Sequence, residues 1–239
     1  MGPERAAVSV QSRLREPCGI RSAAATVRPD KARHERSYDR RMAELELEPP
    51  WPHVFDLMWE AYVVGTIPVG AVVATSDGSI VAHGRNRIFD RPHSGQLAGT
   101  RLAHAEINAL LGLSAERIYP ELTLYSALEP CHLCLAAASA TRVGSVRYAA
   151  RDPYAGAVGK LVASQDMRLH PLIVEGPLSG PVGLFPELLH LRHMLWRVPD
   201  GHGIVPFYHQ TRPELVELAQ KLPAPPDATT LADAYLRVS

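Results

Sequence analysis

A layered α/β domain is the fold class the sequence predicts, on three observations. Short β-prone runs alternate with helical patterns from about residue 51 to 196. Two of those runs flank a turn. A third stretch is alanine-rich and reads as a tightly packed helix.

The elements follow in order. Trp51 to Val63 places Val54, Met58 and Ala61, with Phe55 and Tyr62, at helical spacing. Ile67 to Thr75 and Ile80 to His83 flank Ser76-Asp77-Gly78-Ser79 and predict a β-hairpin. Ile88 to Leu102 contains Pro92, Gly95 and Gly99 and reads as a loop, either a wall or lid of a pocket or a passive surface insertion. Ala103 to Leu113 predicts a helix with His104 and Glu106 at its start. Leu122 to Ser126 predicts a strand, Pro130 to Thr141 a helix, and Val146 to Ala150 and Leu172 to Glu175 two further strands. Leu184 to Trp196 is amphipathic and helical; its stripe of Leu184, Leu188, Leu189, Leu191 and Leu195 reads as core or dimer contact. Beyond Pro199, Pro213 to Leu222 and Thr230 to Val238 predict short helices, with Pro223-Ala224-Pro225-Pro226 as a linker between them.

Composition bounds the function. The chain has 239 residues, 46% hydrophobic, enough for one packed domain with extensions. It lacks an apolar run of about 18 residues, so no membrane span is expected, and its N-terminus lacks the apolar core of a signal peptide. Three cysteines leave no disulfide framework and point to a reducing, cytoplasmic setting. Charge is uneven. Residues 1–41 hold ten Arg/Lys against five Asp/Glu, whereas residues 42–239 hold fifteen against twenty. The first segment is predicted to be a disordered basic extension: a solvated tail, a nucleic-acid-binding arm, or sequence upstream of a start at Met42. The domain organisation expected is therefore an extension over 1–41, a domain over 42–198 and a C-terminal extension with short helices over 199–239.

His104, Cys131 and Cys134 carry the chemistry. One imidazole and two thiolates suit zinc, and three protein ligands leave the fourth position of a catalytic site for water, whose pKa can fall to roughly 7. Cys131 and Cys134, three apart, would share one face of a helix, with Pro130 in its first turn. The helix N-terminus and the metal both favour thiolate. Glu106, two residues from the imidazole, is placed to move protons at the open position. Two other readings stay open. A structural zinc site normally closes with a fourth ligand, but the one remaining cysteine, Cys18, lies far upstream. A redox Cys-x-x-Cys pair leaves His104 and Glu106 unexplained. His132 reads as a helix-surface residue rather than a ligand.

His104-Ala105-Glu106 followed by Pro130-Cys131-His132-Leu133-Cys134 resembles the H-x-E…P-C-x-x-C signature of zinc deaminases. The resemblance extends through Ile67-Pro68-Val69-Gly70-Ala71-Val72-Val73, Gly84-Arg85-Asn86-Arg87, His104-Ala105-Glu106-Ile107-Asn108-Ala109-Leu110, Leu122-Thr123-Leu124-Tyr125, Leu128-Glu129-Pro130-Cys131 and Arg151-Asp152-Pro153-Tyr154-Ala155-Gly156-Ala157. These segments, over about residues 51 to 195, are similar to the cytidine deaminase superfamily, and most like the branch of bacterial tRNA adenosine deaminases and guanine deaminases. The resemblance implies a three-layer α/β/α fold in which two helices with the zinc ligands pack on a five-stranded mixed sheet. It also implies a Zn2+ cofactor, a homodimer, and hydrolytic attack on the amino-bearing ring carbon while Glu106 shuttles protons. Substrate contacts are implied at Asn86, at the backbone N–H of Ala105 and at Tyr154, although Asn86 equally suits a turn and Tyr154 equally suits packing. Two departures stand out. The Ile88–Leu102 stretch looks longer than in tRNA adenosine deaminases, with Leu102-Ala103 before His104 where those enzymes usually carry Thr-Ala after a Pro, and the C-terminal region does not show their basic helix.

Three functions are therefore expected in turn: a deaminase of a small nucleobase or nucleoside, a tRNA adenosine (A-to-I) deaminase, and a non-catalytic zinc-stabilised module. Glu106 argues against the third. Charge favours the first over the second, since residues 184–239 hold five Arg/Lys and six Asp/Glu and so lack a basic stripe for a polyanion.

Overall fold

The computed structural model describes residues 47–92, 95–161, 172–198, 203–228 and 230–238. The expectations for residues 1–41, Met42 and Cys18 lie outside the described residues. Helix α1 (Trp51–Val63) opens the fold, followed by strands β1 (Gly70–Ala74) and β2 (Ile80–Arg85), helix α2 (Ala105–Leu110) and strand β3 (Tyr119–Leu128). Next come α3 (His132–Thr141), β4 (Val143–Ala150), the short α4 (Val158–Leu161) and β5 (Ile173–Glu175). The long α5 (Gly180–Arg197) leads to α6 (Ile204–Thr211), α7 (Pro213–Gln220), a 3-10 turn (Pro225–Asp227) and α8 (Leu231–Leu236).

The five strands form one mixed sheet in the order β2-β1-β3-β4-β5. Strand β1 is antiparallel to β2 and to β3, whereas β3, β4 and β5 run parallel. Alternation along the strands divides the core between two faces. On one, Ala71, Val73 and Leu124 pack with Ala105 and Ala109 of α2 and Leu135 of α3. On the other lie α1 and α5; there Trp51 meets the Tyr125 ring edge-on at 5.2 Å. The result is the expected three-layer α/β/α arrangement. Two glycines allow the layers to close. A Cβ on Gly70 would lie 2.3 Å from the Val54 carbonyl of α1, and one on Gly84 would lie 2.6 Å from the Ala109 nitrogen of α2.

Several boundaries differ from expectation, each for a local reason. Helix α1 ends where expected, because its buried positions recur at helical spacing. Helices α2 and α3 start later than the sequence suggests. His104 and Cys131 are their N-caps, both with extended backbones. Cys131 is held extended by a bridge to Gly156, which also places Pro130 ahead of the helix rather than in its first turn. Strands β3 and β4 are longer than expected because parallel pairing carries them from Tyr119–Val143 to Leu128–Ala150.

Past residue 203 the chain packs onto α5. Leu215, Val216 and Ala219 of α7 and Leu231 and Ala234 of α8 are buried, and Phe185 meets Tyr235 edge-on at 5.4 Å. The proline-rich segment is anchored too: Tyr62 Oη donates to the Pro223 carbonyl, and Arg192 Nε donates to the Leu222 carbonyl at 2.8 Å. Leu188, Leu189 and Leu191 of the leucine stripe are core.

Candidate metal and catalytic centre

The start of α2 and the start of α3 face each other over the sheet and bring three ligand atoms together. His104 Nδ1 lies 3.7 Å from Cys131 Sγ and 3.4 Å from Cys134 Sγ, and the two sulfurs are 3.6 Å apart. Tetrahedral zinc with ordinary bond lengths would separate two sulfurs by about 3.8 Å and a sulfur and a nitrogen by about 3.6 Å. The donor set therefore fits zinc in size as well as in chemistry. These three residues are the group of three or more His, Cys, Asp or Glu side chains able to hold a metal ion among the described residues. His132 is exposed and stands outside the cluster. The spacing works although Cys131 caps the helix instead of lying within it, since the N-cap and third helical positions sit over the same first turn.

Electrostatics follow from this crowding. Contact with Cys134 is the main cause that pulls the Cys131 thiol down to about 4, with the His104 ring adding to it. The same contact, with burial, pushes Cys134 up. Contact with Cys131 raises His104. A hydrogen bond to the Arg101 backbone also raises it and engages the ring from outside the sulfur cluster, the kind of outer partner that fixes a ligand's tautomer.

Glu106 is 4% exposed, and burial pushes its carboxyl above the usual range. Ser126 Oγ, projecting from β3, donates to its Oε1 at 3.1 Å. The carboxyl also reaches the Cys134 sulfur. A buried acid fixed beside three candidate metal ligands can hold or deliver a proton at that point.

The segments that carry the implied substrate residues are joined to this centre through the backbone. The turn after β2 is joined to the residue before His104 by Arg87 N–H donating to the Ala103 carbonyl at 2.9 Å. Asn86 is buried, and its Oδ1 accepts from Thr66 Oγ1 at 2.9 Å and from the Ile88 N–H at 3.1 Å. The loop thus uses only the carbonyl edge of the carboxamide, so the turn reading holds without engaging its NH2 edge. Ala105 is the first residue of α2, where a backbone N–H has no intrahelical acceptor. Tyr154 is 40% exposed, with its ring edge-on to Phe207 of α6 at 5.8 Å. Its loop is tied to the ligands through the Cys131–Gly156 bridge and through Ala157 N–H donating to the Pro130 carbonyl.

Sequence reasoning missed the residues that hold these parts. Asn108 is buried; its Nδ2 donates to the Arg85 and Leu97 carbonyls, and its Oδ1 accepts from the Leu97 N–H at 2.8 Å. Glu129 accepts from the Asp152 and Val158 N–H groups and clamps the Tyr154 loop. Arg85 joins Glu60 of α1 to Asp90, each at 2.8 Å, and Arg87 also reaches Asp90. The signal available was a polar residue inside an apolar motif, such as Asn108 within His104–Leu110.

Residues 52–150 match the family model described as the cytidine and deoxycytidylate deaminase zinc-binding region. The chain is 43% identical over 96 residues to a tRNA(Ile)-lysidine synthase of Deinococcus radiodurans, a match covering 39% of this chain and 15% of that protein. It is 38% identical to a tRNA-specific adenosine deaminase of Agrobacterium fabrum, over 38% of this chain and 57% of that one. A tRNA-specific adenosine deaminase of Haemophilus influenzae is 32% identical over 133 residues, 54% of this chain and 68% of the relative. Of the first two relatives, the chain thus spans less than two thirds of the length.

Proposed function

The chain belongs to the cytidine and deoxycytidylate deaminase family, in the branch that holds tRNA-specific adenosine deaminases, and on that footing we propose that it is a hydrolytic deaminase of a nucleobase or nucleoside that releases ammonia. The observation that carries this reading is the buried Glu106 carboxyl, held by Ser126 beside the His104, Cys131 and Cys134 ligand atoms. A zinc-stabilised structural module has no use for a buried acid that the metal does not need.

A zinc ion held by His104, Cys131 and Cys134 would supply a water activated at neutral pH. The protein does the rest. Glu106 would move two protons in turn: one from the attacking water to the ring nitrogen, and a second, from the hydroxyl that the attack leaves on the ring carbon, to the departing amine. The N–H of Ala105 and the NH2 edge of Asn86 are the donors available to orient the ring. Tyr154, exposed on the loop bridged to Cys131, is the aromatic ring available to stack on the base.

Glu106→Gln tests the reading. The amide keeps the shape and the Ser126 contact but cannot carry a proton. Zinc content and melting temperature are expected to stay at wild-type values while ammonia release falls by about 10²–10⁴-fold. The assay runs over free bases, nucleosides, nucleotides and a tRNA anticodon stem. Near wild-type turnover in the variant on any of them overturns the role of Glu106.

The second reading, deamination of adenosine in tRNA, is favoured by the 38% and 32% identity to tRNA-specific adenosine deaminases. The acidic balance of residues 42–239 favours the small substrate. The same panel separates the two.

A further inference from the structure

Away from this centre, the imidazoles of His53 and His83 meet where the first turn of α1 passes the edge strand β2. Nε2 of His53 lies 3.2 Å from Nδ1 of His83. The ring centroids are 5.1 Å apart and the planes are tilted by 47°. We propose that this pair is a second metal site, which takes a divalent first-row transition ion such as Zn2+ or Ni2+ through His53 Nε2 and His83 Nδ1.

The distance suits the role. Two imidazole nitrogens at ordinary bond lengths are about 3.3 Å apart on a tetrahedral ion and about 2.9 Å apart at a right angle. The observed 3.2 Å lies between these, so either geometry asks for a change of about 0.3 Å or less in the separation. The donor type suits the same ions, since imidazole binds zinc, nickel and copper well. Magnesium and calcium prefer oxygen ligands and are disfavoured here.

Both ligands stand on fixed elements. His53 follows Trp51 and precedes Val54 and Phe55, all three buried. His83 pairs with Val72 in the antiparallel ladder. The rings are therefore held in place before an ion arrives, which lowers the entropic cost of binding. His83 is exposed and His53 half-buried, so water can complete the coordination shell. A bound ion would join α1 to the edge strand that runs into Arg85 and Asn86.

The alternative is a plain imidazole–imidazole hydrogen bond. Calorimetric titration of Ni2+ into the full-length, zinc-loaded chain distinguishes them. The wild type is expected to take up one further equivalent. His83→Ala and His53→Gln are each expected to weaken that uptake at least tenfold while keeping one zinc per chain. In a parallel thermal scan, Ni2+ should raise the melting temperature of the wild type and leave that of His83→Ala unchanged, because an ion bound to the folded state alone stabilises it. A wild type that takes up no further Ni2+, or an equal uptake in His83→Ala, overturns the proposal. The pair lies outside the deaminase centre, so loss of Ni2+ uptake and loss of turnover are separate outcomes.

Discussion

At the residue scale, Cys131 and His193 respond to opposite conditions. Cys131 contributes one of three ligand atoms lying within 4.8 Å of one another. Cys131→Ala leaves two, too few to hold catalytic zinc. Because metal binding and folding are coupled, the variant is expected to lose its zinc and to melt at a lower temperature; metal analysis with a thermal scan checks both, and full zinc occupancy would refute the ligand assignment. His193 is fully buried in α5 between Phe89 and Trp196, and among the described residues neither ring nitrogen has a hydrogen-bond partner. Burial first, with the nearby His190 and Arg197 adding to it, lowers its pKa to about 3. The folded pKa lies below that of the unfolded chain, near 6.5. Between those values the unfolded chain binds the extra proton, so stability is full above pH 6.5 and falls as the pH drops toward 3, by up to about 1.4 kcal/mol per pH unit. His193→Leu removes this titration. Its melting temperature between pH 6.5 and 4 is expected to fall less steeply than that of the wild type, and parallel curves would show that His193 does not set the acid limb.

At the element scale, what could be read from the sequence depends on whether the signal was local. Helix α1 and the β1–β2 hairpin follow from apolar spacing and a Gly-containing turn, and the sequence is sufficient for both. The starts of α2 and α3 are not local matters. Nothing in His104 or Cys131 announces an N-cap; the extended backbone of Cys131 comes from pairing with Gly156, 25 positions away. Helix α6 was missed because its buried face, Ile204, Val205 and Tyr208, is short and has meaning only against α5. The cluster of His104, Cys131 and Cys134 with Glu106 beside it was legible as a candidate centre because metal chemistry restricts residue types. The supports Ser126, Asn108 and Glu129 were not, because a polar residue in a motif does not name its partner. Asn108 joins α2, β2 and the Ile88–Leu102 stretch through three hydrogen bonds. Asn108→Ala leaves buried backbone groups unpaired and is expected to cost about 2 kcal/mol. On the reading of the Ile88–Leu102 stretch as a wall of the substrate pocket, KM should rise more than kcat falls. A variant with wild-type stability and an unchanged KM would show that the loop is held by other means.

At the scale of the whole molecule, the C-terminal helices and the charge balance bear on how the domain meets its substrate. The described residues fall within one compact unit. In α5, Glu187 is 4% exposed and accepts from Tyr208 Oη at 2.9 Å and from Arg212 at 2.7 Å. Deleting residues 203–239 would strand that carboxyl and uncover the α5 face that α7 and α8 bury; the truncated chain is expected to aggregate or melt well below the full chain, and unchanged melting would refute this. Charge decides the remaining question of substrate size. A polyanion is bound by clustered Lys and Arg that displace counterions, and a protein that contacts six to ten phosphates loses about 10³–10⁵ in affinity between 50 and 200 mM salt. Residues 42–239 hold fifteen Lys/Arg against twenty Asp/Glu, so they lack the net charge for such a contact; the excess of basic residues lies in residues 1–41. The full chain is therefore expected to bind tRNA weakly near physiological salt, with a shallow salt slope, while it turns over a free base or nucleoside. A filter-binding salt series run beside the ammonia assay decides the matter. Tight binding that weakens steeply with salt, with inosine formed at the anticodon, would establish the tRNA reading instead. If that binding then vanished on removal of residues 1–41, the basic extension would be its source.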